Sequence, residues 1–90
     1  MKTQITAIAP SSHTINNLSA FGMSYTSTPV GYIAKRTFNT IREARQYLLE
    51  RAEIWCYNND DADLAQLKHQ IKRNYLNLGD ITADISAVNQ

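Results

Sequence analysis

The 90-residue chain has little of what many protein classes require. A single cysteine, Cys56, rules out an internal disulfide and fits a reducing compartment. The three glycines, Gly22, Gly31 and Gly79, are scattered, so there is no glycine-rich phosphate loop. Two histidines, His13 and His69, lie far apart with no His-x-x-x-His or Cys-x-x-Cys pair, and neither a metal nor another cofactor is expected. No apolar run approaches the roughly 18–20 residues of a membrane span, so no membrane partner is expected. The first ten residues hold one lysine and interspersed threonines where a secretion signal would have an apolar core, which points to the cytoplasm. With a net charge of +1, the chain is neither a strongly basic nucleic-acid binder nor an acidic mimic of one.

The most informative shortage is of acid. Residues 1–40 contain no Asp or Glu, and their only bases are Lys2, Lys35 and Arg36. All eight acids lie beyond residue 40, among Leu, Ala and Arg. The first part is rich in Thr, Ser, Ile, Tyr and Phe. Strand chemistry therefore gives way to helix chemistry near residue 39. Apolar residues make up 43% and charged residues 19%, an ordinary globular balance, and the length suits one small domain.

Alternation predicts strands over residues 3–9, 18–26 and 30–38. In the first, Ile5, Ala7 and Ala9 share a face; in the second, Phe21, Met23 and Tyr25; in the third, Val30, Tyr32, Ala34 and Phe38. The polar run Ser11, Ser12, His13 and Thr14 reads as a loop. Short connections favour an antiparallel three-stranded meander. Thr40 followed by Glu43 fits a capping box and opens a helix over residues 41–57. Its stripe is Ile41, Ala44, Leu48, Ala52 and Trp55. A second helix over residues 60–77 carries Leu64, Leu67, Ile71, Tyr75 and Leu78, with Gly79 as its C-cap. The two helices should pack antiparallel on one face of the sheet. The last ten residues fit a short helix opened by Asp80, and the alternation of Ile81, Ala83 and Ile85 also permits a strand; the helix is preferred. The expected fold class is α+β.

Catalytic sets are wanting. Ser11, Ser12 and His13 adjoin one another, yet no carboxylate occurs in residues 1–40 to orient the imidazole. Cys56 falls at a helix C-terminus, where the dipole opposes a thiolate. Asn59, Asp61 and Asp63 have the spacing of a calcium loop's first ligands, but Leu64 and Gln70 stand where glycine and a bidentate glutamate belong. A non-enzymatic protein is expected.

Two binding surfaces remain. The first is acidic: Asp60, Asp61 and Asp63 at the tip between the helices, with Glu50 and Glu53 on the preceding helix. Such a cluster steers a protein onto a basic groove. The second is basic: Lys35 and Arg36 on the third strand with Tyr32 for stacking, and Lys68, Lys72 and Arg73 on the second helix. The segment from Gly31 through Lys35, Arg36 and Thr40 to Arg45 resembles the last strand and helix start of AP2-type and integrase arm-type DNA-binding domains. That resemblance implies a three-stranded sheet lying on DNA with a helix behind it. In size and acidic tip the chain also resembles small accessory or inhibitor proteins of phages and mobile elements that dock on host complexes. A protein-binding module using the acidic tip is the favoured expectation, and a small DNA-binding domain is the alternative. Edge pairing of the small sheet would also allow a homodimer.

Overall fold

A computed structural model describes residues 2–10 and 18–88 of the chain. The run Ser11 to Thr14, with His13, lies outside the described residues. Strand β1 (Lys2–Pro10) buries Thr3, Ile5, Ala7 and Ala9 on one side and turns Gln4, Thr6 and Ile8 to the other. It pairs antiparallel with β3 (Gly31–Phe38) on one flank and with β5 (Ile81–Val88) on the other. The short strands β2 (Thr26–Thr28) and β4 (Tyr75–Leu78) form the edges. The result is one five-stranded antiparallel sheet in the order β2-β3-β1-β5-β4. Helices α1 (Ile41–Asn58) and α2 (Leu64–Lys72) cover its apolar face, α1 over the centre and α2 over β4. The fold is α+β, as expected, but the sheet has five strands, not three.

The predicted second strand over residues 18–26 is a 3-10 turn (Leu18–Phe21), an irregular link and only then β2. Gly22 sits at φ +61°, which ends any extended run, and α1 holds the turn in place. Arg51 donates its Nε–H to the Ala20 carbonyl at 2.8 Å, and Tyr47 donates its hydroxyl to the Phe21 carbonyl. The fully buried Phe21 ring thereby enters the core from an irregular segment. β1 pairs with β3 and not with β2, so the order is not a meander.

The second predicted helix is also shorter than residues 60–77. It begins at Leu64, because Asp63 is its cap and accepts from the backbone N–H groups of Ala65 (3.0 Å) and Gln66 (3.4 Å). It stops at Lys72, because Asn74 takes the left-handed conformation at φ +69°. Tyr75 and Leu78, placed on the helix by their spacing, belong to β4. Gly79 is not a helix cap. At φ +64° it opens a two-residue hairpin loop between the paired Leu78 and Ile81, the glycine-first pattern of a II′ turn. The preferred C-terminal helix is therefore β5, with Ile81 and Ala83 buried on the core side.

At the start of α1, the Thr40 hydroxyl accepts from the Glu43 N–H at 3.1 Å and itself faces Glu43 Oε1 at 3.5 Å, so the box closes side chain to side chain. The β4 edge is blunted as well: the Asn77 N–H donates to the Gln70 side-chain carbonyl at 2.9 Å.

Candidate functional site

The antiparallel helix pair sets the first two to three turns of α1 beside the end of α2. Between them runs an open trough of about 600 Å³. Its floor is aliphatic, with Ile41, Leu49 and Ile71. Its walls carry Arg42 and Arg45 from α1 and Lys68 and Lys72 from α2, with Gln46 the other polar side chain. Among the described residues, no carboxylate lines it. Arg45 is fixed by a fork onto Asn74 Oδ1, with Nε–H at 3.2 Å and Nη2–H at 2.8 Å. The left-handed Asn74 thus ends α2, and its side chain sets one wall of the trough. Its carbonyl also accepts the Ile85 N–H at 2.8 Å, tying the trough to β5. Arg42, Lys68 and Lys72 are exposed.

The far end of the helical layer is acidic. Asp60 and Asp61 are exposed in the connecting turn, and Glu50 and Glu53 are exposed on α1. Asp63 is exposed too, but its carboxylate is engaged as the α2 cap. The α1 carbonyls of Ile54 and Trp55 accept from the side chains of Asn58 (3.0 Å) and Asn59 (2.8 Å). Ile54 and Tyr57 stand exposed on the same stretch of helix, Tyr57 at 88%. The trough and the tip thus differ in charge, while Glu43 and Glu50 share a groove with Arg42 on the flank of α1.

The strand residues proposed for nucleic acid do not form one surface. Tyr32 and Arg36 lie on the helix side of β3, in register with Ala9 and Ile5 of β1. Lys35 lies on the other side, in a row with Thr6, Asp84 and Tyr75. The Arg36 guanidinium stacks over Tyr47 at 4.7 Å and Phe38 at 5.3 Å, and those rings are 5.4 Å apart. A cation held this way already has aromatic partners. The three-stranded, DNA-facing sheet implied by the AP2-type and integrase arm-type resemblance is thus absent from the described residues. No described element covers the open face, where Thr, Ser, Asn and Gln side chains mix with Ile8, Ile33, Lys35, Tyr75 and Asp84. Lys68 and Lys72 meet the two α1 arginines in the trough, while Arg73 is the exposed residue that caps α2 beside it.

Sequence reasoning placed Lys68 and Lys72 on a surface but gave Arg42 no role, and named Arg45 only as the end of the segment that resembles DNA-binding domains. The signal that joins them is the antiparallel pairing of the helices, which sets the start of α1 against the end of α2.

Among the described residues, no three His, Cys, Asp or Glu side chains converge as metal ligands, and no helix is long and apolar enough to cross a membrane. The Cys56 thiol is pushed upward by burial and then by the nearby Asp63 carboxylate, which disfavours the nucleophilic thiolate. The chain matches no protein-family model, no curated protein and no solved structure.

One titrating group reports on the packing beneath this layer. The Tyr25 hydroxyl is buried with no hydrogen-bond partner among the described residues. Burial first, and then the neighbouring Tyr47, push its pKa from 10.0 up to about 12. The phenol must therefore stay neutral in the folded chain. Its contribution to stability is whole below pH 10 and is lost as the pH rises from 10 towards 12. Urea unfolding across that window is expected to show a steeper loss for the wild type than for Tyr25→Phe. Equal slopes for the two would contradict the burial of that hydroxyl.

Proposed function

We propose that the protein is a non-enzymatic protein-binding module that docks through its helical layer. The observation that carries this reading is the trough between α1 and α2, with its aliphatic floor and walls of one charge sign. Aliphatic surface left in water beside a set of cations is what a docking site for an anionic, partly apolar partner requires. The acidic end, with Glu50, Glu53, Asp60 and Asp61, is a second surface of the same layer, and its charge steers the approach of a partner with a basic region.

The test is affinity capture from nuclease-treated lysate with the wild type and two variants, Arg42→Glu/Lys72→Glu and Asp60→Lys/Asp61→Lys. A protein retained by the wild type and lost with the first variant supports docking at the trough. Loss with the second variant alone moves the contact to the acidic tip. Retention by both variants, or captured material that disappears with nuclease, overturns the helical-layer reading.

A further inference from the structure

We propose that the trough receives an acidic amphipathic α-helix of a partner protein. This rests on the helical-layer reading above and names the chemistry of the occupant.

The shape comes first. Ile41 and Leu49 are eight residues apart on α1, so the floor extends about 12 Å, roughly two turns of a docked helix. Ile41 is 40% exposed, although it begins a helix whose next inward residues, Ala44 and Leu48, are fully buried. Part of that apolar side chain is left in water, and a third helix laid along the trough would cover it.

The charge comes second. Among the described residues, four cations and no carboxylate line the trough. They stand on both walls, two from each helix. A ligand with one apolar face and acids on both flanks satisfies floor and walls together. An amphipathic helix has that layout, with apolar anchors at i, i+4 and i+7 and glutamates beside them. Arg45 is already oriented by Asn74, so one wall loses little freedom on binding.

Two other occupants fit less well. The walls are helices whose backbone groups bond within themselves, so no strand edge is on offer for an extended peptide. The floor has no aromatic ring, so unpaired bases would have nothing to stack on, and a nucleic acid would use the cations alone.

The probe is a fluorescein-labelled peptide of about 14 residues, with leucines at helical spacing and flanking glutamates, titrated with the full chain and read by anisotropy. Saturable binding is expected. It should weaken about tenfold or more with Arg42→Glu/Lys72→Glu and severalfold with Ile41→Ser, with circular dichroism unchanged. A peptide of the same composition, scrambled to lose its apolar face, should bind about tenfold more weakly. Equal binding of the scrambled peptide, or of a single-stranded oligonucleotide of equal charge, would reduce the trough to a bare cation patch and overturn the proposal. So would sedimentation showing self-association abolished by both Arg42→Glu/Lys72→Glu and Glu53→Lys/Asp60→Lys, since the occupant would then be a second copy. Absence of peptide binding, with a captured partner still dependent on Arg42 and Lys72, would sink this inference alone. Capture indifferent to both charged ends would sink the helical-layer reading itself.

Discussion

Replacing Phe21 by alanine is expected to destabilise the protein by about 3–5 kcal/mol. A chain of this length is held together by roughly 5–15 kcal/mol in all, so the variant should lie near its unfolding threshold at ambient temperature. Phe21 is the largest fully buried side chain among the described residues, and it reaches the core from a 3-10 turn and not from a strand or long helix. The surroundings of that turn offer little room for collapse. The carbonyls of Ala20 and Phe21 are held by Arg51 and Tyr47 of α1. At the next residue, Gly22, a Cβ would stand 3.0 Å from the Arg51 guanidinium and 3.2 Å from the Tyr47 hydroxyl. A cavity left by the ring would stay largely open, and open cavities account for the upper part of the range. Urea unfolding measures the cost as a fall in midpoint with little change in slope. A loss below about 1 kcal/mol would mean that the turn is only loosely attached to the core.

Sequence was a good guide where one local pattern stood alone and a poor one where two overlapped. Strand β1, β3 and helix α1 each show a single period, and Thr40 with Glu43 fixes where α1 begins. Leu67, Ile71, Tyr75 and Leu78 continue a helical spacing straight through the point where α2 ends. The same stretch holds the period-two set Leu76, Leu78, Ile81 and Ala83, which the structure uses for β4 and β5. The choice between them is made by Asn74, whose left-handed backbone turns the chain out of the helix, and by Gly79, whose turn pairs Leu78 with Ile81. Asn is second to Gly in tolerating that conformation, so the stop is visible in the sequence but weak. The trough is a tertiary feature: Arg42 and Lys68 are 26 positions apart, and only the helix pairing brings them together. The acidic tip could be read from the chain directly, being local. The capping duty of Asp63 and the division of Tyr32 and Lys35 between opposite sheet faces emerge only once the elements are assembled.

The second large effect is expected at Ala7, where leucine should cost about 1–3 kcal/mol through overpacking. Ala7 lies at the middle of the central strand, flanked in register by Ala34 of β3 and Ala83 of β5. These three alanines form a row of minimal side chains across the sheet, all buried. The buried face of α1 is also small at two of its three positions, Ala44 and Ala52, with Leu48 between them. Small residues on both sides let helix and sheet approach closely, and leucine at position 7 adds three carbons where interior packing has no space for them. The next residue supplies the control. Ile8 points to the open face at 53% exposure, and Ile8→Leu should change stability by no more than about 0.5 kcal/mol. Thermal and urea unfolding of the two variants measure the contrast; equal costs would show that the alanine row is not what sets the helix-to-sheet distance. The effect should also reach the functional surface. α1 carries one wall of the trough, so a helix lifted from the sheet at Ala7 moves Arg42 and Arg45 relative to Lys68 and Lys72. The acidic peptide should then bind more weakly to the folded Ala7→Leu protein, although position 7 lies in the core and no part of it faces the trough.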